Sequence, residues 1–128
     1  MIHGIGTDIV CIERIRAALG RHDERFARKV LSDVELACYA ALTDGAAYVA
    51  KRFAAKEAFF KALGAPSSNA NTWHQLSVVN DEGGKPVLEC GALLAVLLHE
   101  KKIVAAHVTL SDERTHAVAF VILERESQ

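Results

Sequence analysis

Two acidic side chains and several basic ones have the types that phosphate chemistry uses, although they are far apart in the sequence. Asp8 follows two glycines near the start of the chain, and Glu57 lies in a basic segment, residues 51–61. Magnesium prefers oxygen ligands and commonly binds one or two carboxylates together with substrate phosphates. Metal and basic side chains neutralise the charge that spreads over phosphoryl oxygens during transfer. If Asp8 and Glu57 meet around one ion, they predict a site for a polyphosphate substrate.

The same residues also have an ordinary structural interpretation. On a helix, Glu57 and Lys61 are one turn apart, and such a pair on a solvated face contributes roughly 0.3–0.5 kcal/mol. Asp8, after the first predicted strand, can cap the helix that follows. Phe53 and Phe60 lie on the same side of the helix as Glu57, which favours a carboxylate partly turned toward the core, where a charge needs a partner. Spacing alone leaves both interpretations open.

The helices and strands that position these residues are predicted from the spacing of apolar residues and from the capping and turn residues between them. Strands are predicted over residues 2–9, 75–80, 86–89, 104–111 and 117–124, and helices over 12–19, 33–42, 46–63 and 93–101. Ser32 and Glu35 match a capping box, and Gly64 is a natural C-cap for the long helix. Residues 64–72 are predicted to be a loop, and residues 81–85 a hairpin turn.

Helices in the first half and antiparallel strands in the second predict a single α+β domain over residues 1–128, with helices packed on one face of an antiparallel sheet. The last strand ends close to the C-terminus. We expect its hydrophobic edge to be covered, for which another subunit is one means.

Length, charge and cysteine usage limit the class of protein. The 128 residues fit one domain, and 51% hydrophobic content describes a folded rather than a disordered chain. A net charge of −1 gives no overall attraction to nucleic acid or membrane surfaces, and no apolar stretch is long enough to span a bilayer. Cys11, Cys38 and Cys90 show no metal-ligand spacing, and reduced thiols indicate a cytoplasmic protein.

Five segments together resemble the small bacterial holo-[acyl-carrier-protein] synthases, a group of 4′-phosphopantetheinyl transferases. They occur in the same order and at the same separations over nearly the whole chain. They are Gly4-Ile5-Gly6-Thr7-Asp8-Ile9-Val10, Lys51-Arg52-Phe53-Ala54-Ala55-Lys56-Glu57 with Lys61, Trp73 opening a predicted strand, Gly84-Lys85-Pro86, and His107-Val108-Thr109-Leu110.

The resemblance implies an activity and a metal site. It implies transfer of the phosphopantetheine group of coenzyme A to a serine of apo acyl carrier protein, for fatty acid biosynthesis. In this family the residues that match Asp8 and Glu57 bind Mg²⁺, and the residue that matches Lys61 lies beside the reacting phosphate. The serine attacks the β-phosphate, 3′,5′-ADP leaves, and the proton goes to Glu57, to a water that Glu57 holds, or to a hydroxide on the metal.

The resemblance also implies contacts to the rest of coenzyme A. Arg52 and Lys56 are implied to hold phosphates. The strand with His107 and Thr109 is implied to line the nucleotide end of the pocket. The family forms homotrimers in which each site is shared between two subunits.

A basic segment suggests where the carrier protein docks. Arg14, Arg21 and Arg28 recur every seven residues, so they form one basic face if helical structure persists past Gly20. A solvated helix face is the plain interpretation. The resemblance favours a docking surface for an acidic helix of the acyl carrier protein.

Two other functions are compatible with the same residues. One is a small trimeric binding protein without catalysis, in which Asp8 caps a helix and Glu57 pairs with Lys61. The other is a metal-dependent hydrolase of a nucleotide pyrophosphate, since the same groups would serve water as the nucleophile. A hydrolase would not need the separate arginine face.

Overall fold

The computed structural model describes residues 1–22, 24–65 and 70–127. Within these ranges the helices are α1 (Ile12–His22), α2 (Glu24–Val30), α3 (Asp33–Ala40), α4 (Ala46–Leu63), α5 (Ala70–His74) and α6 (Ala92–Glu100). The strands are β1 (Ile2–Cys11), β2 (Leu76–Asn80), β3 (Pro86–Cys90), β4 (Ile103–Asp112) and β5 (His116–Arg125). None of the helices described is both long enough and apolar enough to cross a bilayer.

The main sheet is antiparallel and has the strand order β1–β5–β4. Strand β1 pairs with β5 along almost its full length, from Ile2 opposite Glu124 to Cys11 opposite His116. Helix α4 packs against this sheet, and strands β2 and β3 form a separate hairpin. The predicted α+β class, with an antiparallel sheet and helices packed on it, is confirmed.

Two details of the predicted sheet are wrong. We expected one sheet with the last strand at its open edge, whereas the described residues form two sheets, and β5 lies between β1 and β4. The sequence of β5 suits a central strand because both of its faces are apolar. Ala119 and Val121 are fully buried against α4, while Phe120 and Ile122 face the other side. The pairing of β1 with β5 joins the two ends of the chain, which no local pattern reveals.

Helix α4 and strand β1 approach each other unusually closely. A Cβ atom added to Gly6 would lie 1.9 Å from the carbonyl oxygen of Ala58, and one added to Gly4 would lie 1.9 Å from that of Ala62. Only glycine in the strand, opposite alanines in the helix, allows this separation. The two glycines therefore set the distance between the strand that carries Asp8 and the helix that carries Glu57.

The Gly6→Ala variant is expected to lose about 3 kcal/mol of unfolding free energy, at the upper end of overpacking costs, because the clash is with backbone rather than a movable side chain. The matched control is Gly20→Ala in α1, where an added Cβ meets nothing within 4 Å. That control should gain up to about 1 kcal/mol, since alanine is the better helix former. Urea denaturation of both variants measures the difference. Equal stabilities would contradict the close packing.

The start of α3 and both ends of α4 follow the prediction, whereas α3 ends at Ala40 rather than at residue 42. Ser32 Oγ accepts from the Glu35 amide at 3.4 Å, and Glu35 Oε1 accepts from the Ser32 amide at 2.9 Å, which completes the capping box. Gly64 ends α4 with φ of 80°, in the left-handed region that favours glycine.

Other local predictions need correction. Helix α2 was not predicted. Trp73 lies in the short helix α5 rather than at the start of a strand, and β2 begins at Leu76. The predicted loop over residues 64–72 falls partly on residues 66–69, which lie outside the described ranges; helix α5 already starts at Ala70.

Candidate active site

Asp8 and Glu57 line the same cavity, which has a volume of about 480 Å³. The other lining residues are mostly apolar and come from β1, α1, α2 and α4: Ile9, Val10, Cys11, Arg14, Ile15, Ala18, Phe26 and Phe53. The cavity therefore combines two carboxylates with an apolar wall, a composition typical of ligand sites.

The contact between β1 and α4 brings the two carboxylates together. Successive residues of a strand face opposite sides of the sheet, so positions 4, 6 and 8 of β1 all lie on the face against which α4 packs. Glu57 directly precedes Ala58, which meets Gly6. Asp8 was expected where the first strand ends, but it lies inside β1, which continues to Cys11. It is therefore not in position to cap α1, which begins at Ile12.

Lys61 extends this arrangement by linking the helix to the strand. Its Nζ donates to the carbonyl oxygen of Thr7 at 3.0 Å and lies 3.4 Å from Asp8 Oδ1. Although both side chains are described, Glu57 and Lys61 form no ion pair within 4.0 Å. The intrahelical pair of the plain structural interpretation is thus absent, and the partner of Lys61 is the other candidate metal ligand.

The residues present fit a magnesium ion. Two carboxylates that face one cavity are enough, because magnesium takes its remaining ligands from water and substrate phosphate. Among the described residues no group of three or more His, Cys, Asp or Glu side chains is placed to hold a metal. The Asp8 side chain is 18% exposed.

Lys56 does not face the cavity, and its predicted phosphate contact is wrong. Its side chain is fully buried. Nζ donates to Glu35 Oε1 at 2.6 Å, to the Val30 carbonyl at 2.6 Å and to the Trp73 carbonyl at 3.1 Å, which uses all three N–H donors of an ammonium group. Burial lowers the pKa of Lys56, while the adjacent Glu35 carboxylate opposes that effect. Lys56 is therefore a core residue.

Arg52 is also buried, and its binding of a phosphate stays a prediction. It is only 7% exposed. Its guanidinium lies 3.9 Å from the centre of the Tyr48 ring, and Nη2 donates to the Val78 carbonyl at 3.3 Å. The hydrogen bond attaches α4 to β2, whereas the cation–π contact lies within α4, one turn from Tyr48 to Arg52.

His107 and Thr109 line a different cavity, of about 260 Å³. The hairpin residues Lys85 and Pro86 complete one wall of it, and Phe120 lies beside Thr109 across the strands. Because Val108 is buried on the α4 side of the sheet, its neighbours His107 and Thr109 point to the opposite side. Within one chain, the two halves of the predicted coenzyme A site therefore lie on opposite faces of the main sheet.

The three arginines of the predicted docking face are all exposed, but they lie on two helices. Arg14 and Arg21 are in α1, which continues past Gly20 as the prediction required. Arg28 is in α2, where it forms an exposed ion pair with Glu24 at 3.1 Å. Arg14 also lines the cavity that contains Asp8 and Glu57. The seven-residue spacing alone therefore does not put Arg28 on the face of the other two.

The sequence did not predict two sets of side-chain contacts made by or beside these residues. Glu35 was recognised only as part of a capping box, whereas it also binds Lys56 and accepts from the Val78 amide at 2.7 Å. His107 Nε2 lies 2.7 Å from Glu124 Oε2. Both pairs join residues on different elements, so only the fold brings them together.

Comparisons with known proteins identify the family of this chain. Residues 4–121 match the family described as the 4′-phosphopantetheinyl transferase superfamily. The holo-[acyl-carrier-protein] synthase of Aromatoleum aromaticum is 49% identical over 125 residues, which are 98% of this chain and 99% of that protein.

Two solved structures have the same fold over the full chain. The crystal structure of holo-[acyl-carrier-protein] synthase from Neisseria meningitidis is similar with a TM-score of 0.92 and 38% identity, covering 98% of this chain and 100% of that one. The synthase of Bacillus anthracis in complex with CoA (3′,5′-ADP) is similar with a TM-score of 0.80 and 32% identity, covering 98% and 99%.

Proposed function

Because this chain belongs to the 4′-phosphopantetheinyl transferase superfamily, we propose that it moves the phosphopantetheine group of coenzyme A onto a serine of an apo acyl carrier protein. The product is holo carrier protein, and 3′,5′-ADP is released. The observation that carries the proposal is the shared cavity of Asp8 and Glu57, with Lys61 bound to Asp8 at its edge. These groups match the charge requirements of phosphoryl transfer.

The reaction is a displacement at the β-phosphate of coenzyme A. The serine oxygen forms a bond to that phosphorus, and the bond to the oxygen of 3′,5′-ADP breaks. Glu57 accepts the proton of the serine hydroxyl, directly or through one water. Asp8 and Glu57 would hold magnesium, which supplies positive charge to the pyrophosphate oxygens when bound. Two N–H donors of Lys61 are assigned to Thr7 and Asp8, which leaves a third for a phosphate oxygen.

The site is proposed to be completed by a second copy of the chain in a homotrimer. His107 and Thr109, proposed to contact the nucleotide, point away from the face on which Asp8 lies. The face that carries them is also apolar and exposed, with Ile5 at 60%, Ile9 at 65% and Phe120 at 37%. Exposed apolar surface of this kind is typical of an interface. A second subunit on this face would bring its own residues to the first subunit's cavity.

Mixed oligomers test the shared site. Glu57→Gln chains and His107→Ala chains are refolded together and assayed at a low coenzyme A concentration. In a shared site, the intact Glu57 of one chain and the intact His107 of the other meet, so mixing should raise activity above the average of the two preparations. No gain from mixing, with a trimeric mass by light scattering, would contradict the shared site.

Incubation with coenzyme A, magnesium and apo carrier protein tests the activity itself. A mass gain of one phosphopantetheine group on the carrier, with release of 3′,5′-ADP, is expected. Cleavage of coenzyme A without a carrier would instead indicate a hydrolase. Binding of coenzyme A without any cleavage would indicate a binding protein.

The exposed arginines are proposed to attract an acidic carrier protein. Arg21→Glu combined with Arg28→Glu is expected to raise the KM for carrier protein about tenfold at low salt, while the KM for coenzyme A stays within twofold. Arg14 is left intact because it lines the cavity. The loss should shrink at 1 M salt, where the Debye length falls to about 3 Å.

A control with the same change in charge is Lys101→Glu with Arg114→Glu, both exposed and outside α1 and α2. Steady-state kinetics with each substrate varied in turn should show no change in the KM for carrier protein. An equal rise in both double variants would mean that only net charge matters, which would contradict docking on α1 and α2.

A further inference from the structure

His107 is in contact with a carboxylate on the neighbouring strand. Residue 107 pairs with Ile122 across β4 and β5, so Glu124 is its diagonal neighbour on the same face. His107 Nε2 and Glu124 Oε2 are 2.7 Å apart, a short distance typical of a charge-assisted hydrogen bond. The two side chains are 58% and 41% exposed. The contact lies at the wall of the cavity that also contains Lys85 and Thr109.

The partner determines which ring nitrogen of His107 carries hydrogen. The hydrogen bond from His107 lowers the pKa of Glu124, so this carboxyl is ionised at neutral pH. An ionised carboxylate has acceptor sites only. The hydrogen of the bond must therefore be on Nε2, and the ring is held in one orientation by the same contact.

We propose that Glu124 is a positioning residue for the nucleotide end of coenzyme A, acting by holding the His107 ring in one protonation pattern and orientation at the cavity wall. This inference rests on the proposed function, because it concerns the same substrate. Glu124 itself need not touch the nucleotide. Its effect reaches the substrate through His107.

Simple electrostatics predicts the opposite sign, which makes the proposal testable. Coenzyme A is a polyanion, and a carboxylate within a Debye length of about 8 Å at physiological salt repels it. If Glu124 acted only as a charge, its removal would strengthen binding. If it positions His107, its removal weakens binding despite the lost repulsion.

The test is a double-mutant cycle at positions 107 and 124, with steady-state kinetics and calorimetric binding of coenzyme A. Glu124→Ala is expected to raise the KM and Kd for coenzyme A about fivefold, roughly the contribution of one ordinary hydrogen bond, with kcat within twofold. Glu124→Gln should stay within twofold of the wild type because its amide oxygen still accepts from Nε2. In the His107→Ala background, Glu124→Ala should no longer weaken binding, since the ring that it positions is absent.

Two further readings complete the experiment. In Glu124→Ala, the ¹⁵N signals of the His107 ring should move away from the single Nε2–H form expected in the wild type. Glu126→Ala, which removes a nearby exposed charge, should leave the KM unchanged. Tighter binding in Glu124→Ala, equal losses in Glu124→Ala and Glu124→Gln, or additive effects with His107→Ala would each overturn the inference. If the wild type binds no coenzyme A, the proposed function fails and the inference with it. If the wild type binds coenzyme A but the substitutions at position 124 leave the KM and Kd unchanged, the inference alone fails.

Discussion

Glu57→Gln is expected to reduce the kcat of phosphopantetheine transfer by at least about a hundredfold, because an amide cannot accept the serine proton and is a weaker ligand for a hard cation. The fold should be unaffected. Glu57 lines a cavity and, within the described residues, belongs to no ion pair within 4.0 Å. The change therefore leaves no buried charge without a partner. The measurement is the rate of 3′,5′-ADP release with saturating substrates, together with the midpoint of thermal unfolding.

The matched control is Glu89→Gln, the same substitution at an exposed position of β3, which should retain full activity. Asp8→Asn should resemble Glu57→Gln and should raise the magnesium concentration needed for half-maximal rate. Full activity in Glu57→Gln would contradict its catalytic role. A large loss in Glu57→Gln that is accompanied by a lower unfolding midpoint would instead assign Glu57 a structural role.

The part of the site that could be predicted from sequence depends on local rules. The glycines at positions 4 and 6 allow another group to approach the backbone of β1, and the segment around Glu57, rich in Ala, Lys and Glu, predicts a long helix. The structure confirms that α4 is the group that approaches, with Gly6 against Ala58. The contact that aligns Asp8 with Glu57 thus follows from the small size of the glycines in β1 and the alanines in α4, which can be read from the sequence.

The residues that sequence reasoning misplaced are the basic ones of α4. Arg52 and Lys56 lie between alanines and aromatics in a helix that is buried on most sides, and twelve of its eighteen residues are buried. A periodicity argument assigns charged residues to the solvated face, since charges are rarely buried without a partner. The partner of Lys56 is Glu35, 21 positions away and on another helix. Only the tertiary fold shows that such a partner exists.

The division of the site between two faces of the sheet was also beyond local reasoning. Alternation along β4 shows that His107 and Thr109 share a face. It does not show whether that face is the one against α4. The answer depends on the register of β5 between β1 and β4, and the β1–β5 pairing joins residues more than one hundred positions apart. Long-range pairing of this kind leaves no periodic signal.

The buried pair of Glu35 and Lys56 carries the largest expected effect on stability. Glu35 is fully buried and accepts from Lys56 Nζ at 2.6 Å and from the amides of Ser32 and Val78 at 2.9 and 2.7 Å. Removing one partner of a buried pair leaves an uncompensated charge in the core and costs about 3–5 kcal/mol. Glu35→Gln is therefore expected to lose that amount, a large share of a typical total stability of about 5–15 kcal/mol.

The matched control breaks an ion pair on the surface. Glu24→Gln removes the partner of Arg28, and both side chains of that pair are at least 70% exposed. This loss should stay within about 0.5 kcal/mol because water screens the exposed charges. Denaturant unfolding of both variants, at one protein concentration, gives the comparison.

A second substitution separates the buried charge from the lost hydrogen bonds. Lys56→Met in the Glu35→Gln background removes the unpaired ammonium group and should recover part of the loss, because methionine is apolar and has a similar length. Recovery should be incomplete, since the carbonyls of Val30 and Trp73 then lose their donor. If Glu35→Gln costs no more than Glu24→Gln, or if the second substitution destabilises further, the buried pair is not what attaches α3 to α4.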